Sequence, residues 1–298
     1  MQELFAASPM VFAGAVFAFA LLIGSFLNVV IHRLPIMMER EWREQCEALA
    51  RQPAAEPLAE LQDEAFNLVV PRSRCPACGH PITALQNIPV ISYLALGGRC
   101  AGCRTAISPR YPLVEFVSAL LSAWVAMHFG FGIEALMAVA FTLALVPITM
   151  IDFDHQLIPD SIVLPLMWVG LIMSLFHPLD GATTLFISPR NAIIGAVAGY
   201  MTFWTVYQVF RLLTGKEGMG YGDFKLLAAL GAWLGWQALP TIIMMSALVG
   251  AVTGILLMVF KGRDHKIPMP FGPFLAAAGW ITMLYGDAIR QAYVNLMF

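Results

Sequence analysis

Long apolar runs constrain this 298-residue chain more than any other feature of its sequence. About eight runs are read as membrane spans, since a helix needs roughly 20 mostly apolar residues to cross the hydrocarbon core. They lie at about 10–31, 113–130, 134–151, 162–176, 191–213, 224–238, 239–260 and 271–288. The composition agrees, because only 12% of the residues are charged, against about 25% in soluble proteins. We expect an all-α polytopic membrane protein, and the composition excludes a nucleic-acid binder.

One long polar segment interrupts the apolar pattern and divides the chain into three parts. We expect a first transmembrane helix over 1–31, a cytoplasmic loop over 32–112 and a seven-helix membrane domain over 113–298. With eight spans, the side that holds the loop collects all of the 17 basic residues except Arg190 and Arg290. Because Lys and Arg are hard to translocate, this distribution places the loop in the cytoplasm and both termini on the opposite side.

Four of the five cysteines form two C-x-x-C pairs in the loop and predict a metal site. Cys75 and Cys78 form C-P-A-C, and Cys100 and Cys103 form C-A-G-C after 21 intervening residues. Two such pairs supply four thiolates at the spacing that tetrahedral Zn²⁺ requires. Since four protein ligands leave no open position on the metal, we expect a structural zinc site rather than a catalytic one. A redox-active thiol pair is the alternative, and Cys46 has no assigned role.

Two aspartates lie at the ends of predicted spans, and the topology places them at the same membrane depth. Asp152 is at the cytoplasmic end of the third span, and Asp223 is at the cytoplasmic start of the sixth. Ionising two neighbouring carboxyl groups in a low-dielectric site costs much electrostatic free energy, so one of them keeps its proton. The ionised group can then activate water while the protonated one donates to a scissile carbonyl, which is the chemistry of aspartic proteolysis. Gly220 and Gly222, which have no Cβ, allow backbone or an extended peptide to come close.

Three other interpretations of these acids remain open at this point. Lys225 could pair with Asp223 in a simple interfacial ion pair. Asp152 and Asp154 could carry protons in an ion-coupled transporter, although such acids are expected near the bilayer midplane and between repeated halves. The third interpretation is a structural membrane protein that is stabilised by zinc and has no catalytic activity. The sequence assigns no role to Asp154 or to His155.

Five motifs, taken together and in this order, resemble those of the type IV prepilin peptidases, the bifunctional leader peptidases and N-methyltransferases of bacterial inner membranes. They are G-S-F-L-N-V-V-I-H-R-L-P (Gly24–Pro35), the two C-x-x-C pairs, I-D-F-D-H-Q-L-I-P-D (Ile151–Asp160), G-M-G-Y-G-D-F-K-L-L-A (Gly218–Ala228) and P-F-G-P (Pro270–Pro273). The resemblance implies that Asp152 and Asp223 are the catalytic aspartates. It also implies that the four paired cysteines bind zinc.

The resemblance further implies an activity and a location. Members of this family cut the basic leader of type IV prepilins and of type II secretion pseudopilins after a glycine, on the cytoplasmic side. They then methylate the new amino terminus with S-adenosylmethionine. The chain is therefore expected in the lipid bilayer of the bacterial inner membrane, with both termini in the periplasm. The loop over 32–112 shows no glycine-rich nucleotide-binding turn, so the residues that bind the methyl donor stay unassigned.

Overall fold

The computed structural model describes residues 5, 8–50, 66–177, 185–261 and 269–297, and most of these are helical. The helices are α1 Pro9–Ala50, α2 Ile91–Ala95, α3 Arg110–Phe129, α4 Ile133–His155, α5 Asp160–Ser174, α6 Pro189–Thr214, α7 Tyr221–Leu234, α8 Leu239–Lys261 and α9 Gly272–Met297. Short 3₁₀ turns occur at Leu85–Asn87 and Trp236–Ala238. No strand occurs in the described residues, where the β-bridges are isolated ones. The all-α class predicted from the sequence is confirmed.

Each apolar run identified in the sequence coincides with one of these helices. Within the part of the chain that the structure describes, five helical segments are long and apolar enough to cross a membrane, namely α1, α3, α4, α6 and the stretch Trp236–Phe260, which contains most of α8. The remaining three, α5, α7 and α9, are shorter or less uniformly apolar. The chain is therefore a multi-pass membrane protein.

Helix α1 continues beyond the end of the first predicted span. It runs for 42 residues, through Pro35 and on to Ala50, and half of the exposed residues over 39–50 are charged. The polar residues after 31 thus mark the end of the apolar stretch but not the end of the helix. Residues 51–65 lie outside the described part of the chain.

The chain forms two compact units. The larger comprises Met1–Phe12 and Trp124–Phe298, and the smaller comprises Ala13–Ala123. In the larger unit, α7 packs against α5, α6 and α9 and has most of its side chains buried. A Cβ on Gly195 of α6 would lie only 2.1 Å from the carbonyl oxygen of Gly231 of α7. These two helices therefore meet at backbone distance, which requires glycine at the contact.

The smaller unit joins α1 and α3 to the cysteine module, which we define as residues 66–110. The two helices meet closely at Gly24, where a Cβ would lie 2.8 Å from Cα of Glu115. The buried guanidinium group of Arg33 donates hydrogen bonds to the carbonyl oxygens of Asn67 (2.9 Å) and Pro71 (2.6 Å). The module is thereby attached directly to the membrane helix that precedes it.

Candidate active site

Asp152 lies in the last turn of α4, and its side chain is only 5% exposed. The helix ends just after it, because Gln156 adopts a left-handed conformation and donates its N–H to the Asp152 carbonyl at 2.9 Å. The carboxyl atom Oδ2 of Asp152 accepts a hydrogen bond of 2.9 Å from the backbone N–H of Gly272. Gly272 is the first residue of α9, where N–H groups have no partner within the helix. The Asp152 carboxyl group is thus oriented by the start of another helix.

Asp223 is the third residue of α7 and is half-buried. The helix begins after Gly220, whose backbone is extended, and the Asp223 N–H donates to the Gly220 carbonyl at 3.3 Å. Gly222, which precedes Asp223, and Gly272, which donates its N–H to Asp152, both lie against the side chain of Ile158. The structure therefore brings together the two side chains that the sequence singled out, although α5 and α6 separate them along the chain.

Ile158 is buried and lies against the glycines next to both acids. A Cβ on Gly222 would lie 2.8 Å from Cβ of Ile158. A Cβ on Gly272 would lie 3.1 Å from Cδ1 of Ile158 and 2.7 Å from Oδ2 of Asp152. In contrast, among the residues that the structure describes, no atom beyond the two adjacent residues lies within 4 Å of a Cβ placed on Gly220. Gly222 and Gly272 are thus required by the protein's own packing, whereas Gly220 leaves open space.

Lys225 forms its ion pair with Asp160, and not with Asp223 as the ion-pair interpretation of the sequence proposed. Its Nζ donates to both carboxylate oxygens of Asp160, each at 2.7 Å. This ion pair links the first turn of α7 to the first residue of α5. Asp154 and His155, at the end of α4, have exposed side chains.

The four paired cysteines form two knuckles with the same backbone geometry. In the first, the Cys75 N–H donates to the His80 carbonyl and the Gly79 N–H donates to the Cys75 carbonyl, both at 2.9 Å. In the second, the Cys100 N–H donates to the Thr105 carbonyl at 2.9 Å, and the Arg104 N–H donates to the Cys100 carbonyl at 3.0 Å. Each turn closes through a residue with positive φ, Gly79 in one knuckle and Arg104 in the other.

The sulfur atoms of these cysteines are spaced as a tetrahedral metal site requires. All four lie within 4.8 Å of one another, with Cys75 and Cys103 at 3.8 Å and Cys78 and Cys100 at 4.0 Å. Sulfur ligands about 2.3 Å from a tetrahedral zinc ion are about 3.8 Å apart. The side-chain hydrogen bond between Cys103 and Thr105 lowers the pKa of the Cys103 thiol to about 6, which favours the thiolate that binds metals. The cluster can therefore hold a metal ion.

Sequence reasoning missed the contacts made by Gly272 and Ile158. Gly272 belongs to the P-F-G-P motif and Ile158 to the motif at 151–160, but neither residue type carries a chemical signal of its own. The hydrogen bond from Gly272 to Asp152 joins residues 120 positions apart, so it depends on where α9 begins in space. The sequence feature that could have indicated a closely packed start of a helix is Gly272, which lies between Pro270 and Pro273 just before an apolar run.

Comparison with known proteins adds independent information. Residues 18–129 match the family model described as the bacterial peptidase A24 N-terminal domain, and residues 139–255 match that of the type IV leader peptidase family. The chain is 54% identical to a prepilin leader peptidase/N-methyltransferase of Aeromonas salmonicida, over 99% of this chain and 98% of the relative.

Proteins with the same description in Stutzerimonas stutzeri and Pseudomonas aeruginosa are similar over the same extent. The first is 52% identical over 98% of this chain and 97% of the relative, and the second is 50% identical over 99% and 98%. No solved structure matches the chain. The two matching models and these full-length identities show that the chain belongs to the type IV leader peptidase family.

Proposed function

We propose that this chain is a membrane aspartic endopeptidase that removes the leader peptide of type IV prepilins and pseudopilins and then methylates the new amino terminus. The observation that carries the proposal is geometric: Asp152 at the end of α4 and Asp223 at the start of α7 are both linked to Ile158, through Gly272 and Gly222. The names of the full-length relatives support it. The transporter interpretation has no support from these relatives.

In the proposed mechanism, the two carboxyl groups share one proton. The ionised group takes a proton from water, the resulting nucleophile attacks the scissile carbonyl carbon, and the protonated group donates to the carbonyl oxygen. The C–N bond then breaks as the carboxyl group that took the proton from water gives it to the leaving amine, and the other carboxylate recovers its proton from the hydroxyl group of the intermediate. The backbone N–H of Gly272 keeps the Asp152 carboxyl group in one orientation throughout. The scissile bond must be extended, because a helical carbonyl is already hydrogen-bonded, and the open space at Gly220 admits an extended backbone.

The deciding experiment compares three isosteric variants in cleavage of a prepilin by the purified protein. Asp152→Asn and Asp223→Asn should each lower kcat by about 10²–10⁴-fold, since each removes one partner of the acid–base pair. Asp154→Asn, an exposed neighbour on the same helix, is the matched control and should cleave normally. All three variants should unfold at the wild-type temperature and should methylate a substrate whose leader is already removed. Substantial cleavage by Asp152→Asn or Asp223→Asn would overturn the assignment.

We further propose that the cysteine cluster binds Zn²⁺ and that S-adenosylmethionine is the methyl donor. Thiolates of Cys75, Cys78, Cys100 and Cys103 would be the four zinc ligands, and a site with four protein ligands is structural. Zinc would then stabilise a module that has few buried apolar residues of its own. The membrane is the bacterial inner membrane in this proposal, with the cysteine module and both aspartates on the cytoplasmic side and both termini in the periplasm.

A further inference from the structure

The cysteine module has an unusual distribution of charge. Residues 66–110 contain five arginines and no aspartate or glutamate. The side chains of Arg72, Arg74, Arg99 and Arg104 are all exposed. A surface with only positive side chains is complementary to anionic phosphate groups.

The same module also exposes apolar side chains in one short segment. Leu85 is 78% exposed, Ile91 64% and Leu94 71%, and Ile88 is exposed as well. We call residues 85–94 the apolar segment. Its side chains lie on a 3₁₀ turn and on the five-residue helix α2, neither of which provides a core to bury them. Clustered apolar exposure of this kind indicates a protein or membrane contact.

A hydrogen bond attaches the apolar segment to the start of α3, one of the helices that are long and apolar enough to cross a membrane. The N–H of Val90, in the middle of the segment, donates to Oε2 of Glu115 at 2.8 Å. Glu115 is the sixth residue of α3, and its neighbours Leu113 and Phe116 expose their apolar side chains as membrane-facing residues do. The apolar segment therefore lies beside the turns with which α3 passes into the bilayer.

The backbone of Val90 shows that this position is imposed on the segment. Its φ is 58°, a value that a β-branched residue rarely adopts. Such conformations persist only where surrounding contacts hold them. The contacts here include the hydrogen bond from the Val90 N–H to Glu115, the one that the Val90 carbonyl accepts from the Leu94 N–H, and the preceding turn Leu85–Asn87.

We propose that the apolar segment lies in the interfacial layer of the bilayer and that the four exposed arginines of the module bind anionic phospholipid headgroups around it. Burying apolar side chains in the interfacial layer removes them from water, and arginines near an anionic surface are attracted to its headgroups. The bilayer is the partner that the attachment of the module indicates, because Arg33 holds the module at the end of the apolar part of α1 and Glu115 holds it at the start of α3. This inference does not depend on the proposed enzymatic function.

Photocrosslinking of the full-length protein in nanodiscs of phosphatidylethanolamine and phosphatidylglycerol tests the proposal. p-Benzoylphenylalanine replaces Leu85 or Leu94, and mass spectrometry identifies what each position captures. Leu22, which is 62% exposed in the apolar part of α1, is the control for lipid contact. Trp42, which is exposed in the charged extension of α1, is the control for an apolar residue in water. Both module positions should crosslink to phospholipid as Leu22 does, whereas Trp42 should not.

The captured lipids also report on the role of the arginines. At Leu85 and Leu94 the fraction of phosphatidylglycerol should exceed that of the bilayer by about twofold or more, and at Leu22 it should equal it. Replacing Arg72, Arg74, Arg99 and Arg104 together by glutamine should return the ratio to the bulk value. Equal ratios in the unaltered protein, crosslinks to a second copy or to another protein, or the absence of any crosslink would each overturn the proposal. Thermal unfolding of each variant verifies that it is folded.

Discussion

Gly220 and Gly222 are separated by a single residue, yet the protein uses them for different purposes. At Gly222 the missing Cβ makes room for Ile158, which also lies against Gly272, the residue that binds Asp152. At Gly220 the missing Cβ leaves space that no described part of the protein fills. Gly222 thus maintains the position of the two acids, whereas Gly220 leaves space through which a peptide can reach them.

This difference predicts opposite kinetic effects for two otherwise identical substitutions. Gly222→Ala places a methyl group 2.8 Å from Cβ of Ile158, an atom that no side-chain rotation can move away. We expect the first turn of α7 to shift, with a loss of about 1–3 kcal/mol of stability and a large fall in kcat. Gly220→Ala should leave the unfolding temperature unchanged and raise KM, because it obstructs only the approaching peptide. Normal kcat in Gly222→Ala would show that Ile158 does not position Asp223.

The chemistry-bearing residues of this site could be predicted from the sequence because their types are costly or unusual where they occur. Acids at the ends of apolar runs and paired C-x-x-C motifs are such signals. Ile158 could not be predicted in the same way, since an isoleucine in a membrane protein is unremarkable. The partner of Lys225 could not be predicted either, because Asp160 is 65 positions away along the chain and only the packing of α5 against α7 brings it within reach.

At the scale of whole elements, the shortness of α7 decides where Asp223 lies. A helix of 14 residues is about 21 Å long, less than the roughly 30 Å of the hydrocarbon core. A helix this short cannot reach both surfaces, so an acid at its first turn can be recessed from the lipid–water boundary. Surrounding helices must then cover it, and the glycine contacts with α6 provide the closest of these packings.

Substituting these contact glycines should therefore be far more harmful than substituting another glycine in a membrane helix. In Gly195→Ala the new methyl carbon would lie 2.1 Å from the Gly231 carbonyl oxygen, a backbone atom, so α6 and α7 must separate. We expect a loss of more than about 3 kcal/mol, well beyond the usual effect of a single substitution.

Gly250→Ala in α8 is the matched control, since the nearest atom to its new Cβ is a ring carbon of Phe274 at an ordinary 3.4 Å. Thermal unfolding in detergent measures both variants. If Gly195→Ala were as stable as Gly250→Ala, the backbone contact between α6 and α7 would not exist in the folded protein.

At the scale of the molecule, apolar runs predicted the all-α membrane class because a bilayer leaves the backbone few alternatives. The extent of α1 was not predictable in the same way. The polar residues that follow the apolar part of α1 indicate only where the membrane-spanning part ends. They do not indicate where the helix ends, because helices with charged side chains also form in water. The two compact units likewise have no marker in the sequence, since one boundary falls inside α3.

This division separates the two kinds of site completely. Asp152, Asp223, Ile158 and Gly272 all belong to the larger unit, whereas the four paired cysteines belong to the smaller. Loss of the metal should therefore unfold the knuckles without altering the hydrogen bond from Gly272 to Asp152. The double variant Cys75→Ser/Cys103→Ser tests this, because it removes one ligand from each knuckle and a sulfur pair only 3.8 Å apart.

We expect this variant to lose bound zinc, to unfold at a lower temperature and to lose methyltransferase activity, while kcat for leader cleavage stays unchanged below its unfolding temperature. Metal analysis, thermal unfolding and the two separate activity assays measure these effects. Cys46→Ser, which alters the exposed cysteine outside the cluster, should behave as wild type in all four. Loss of cleavage in parallel with methylation would mean that the aspartates depend on the knuckles, and full zinc content in the double variant would mean that the metal is bound elsewhere.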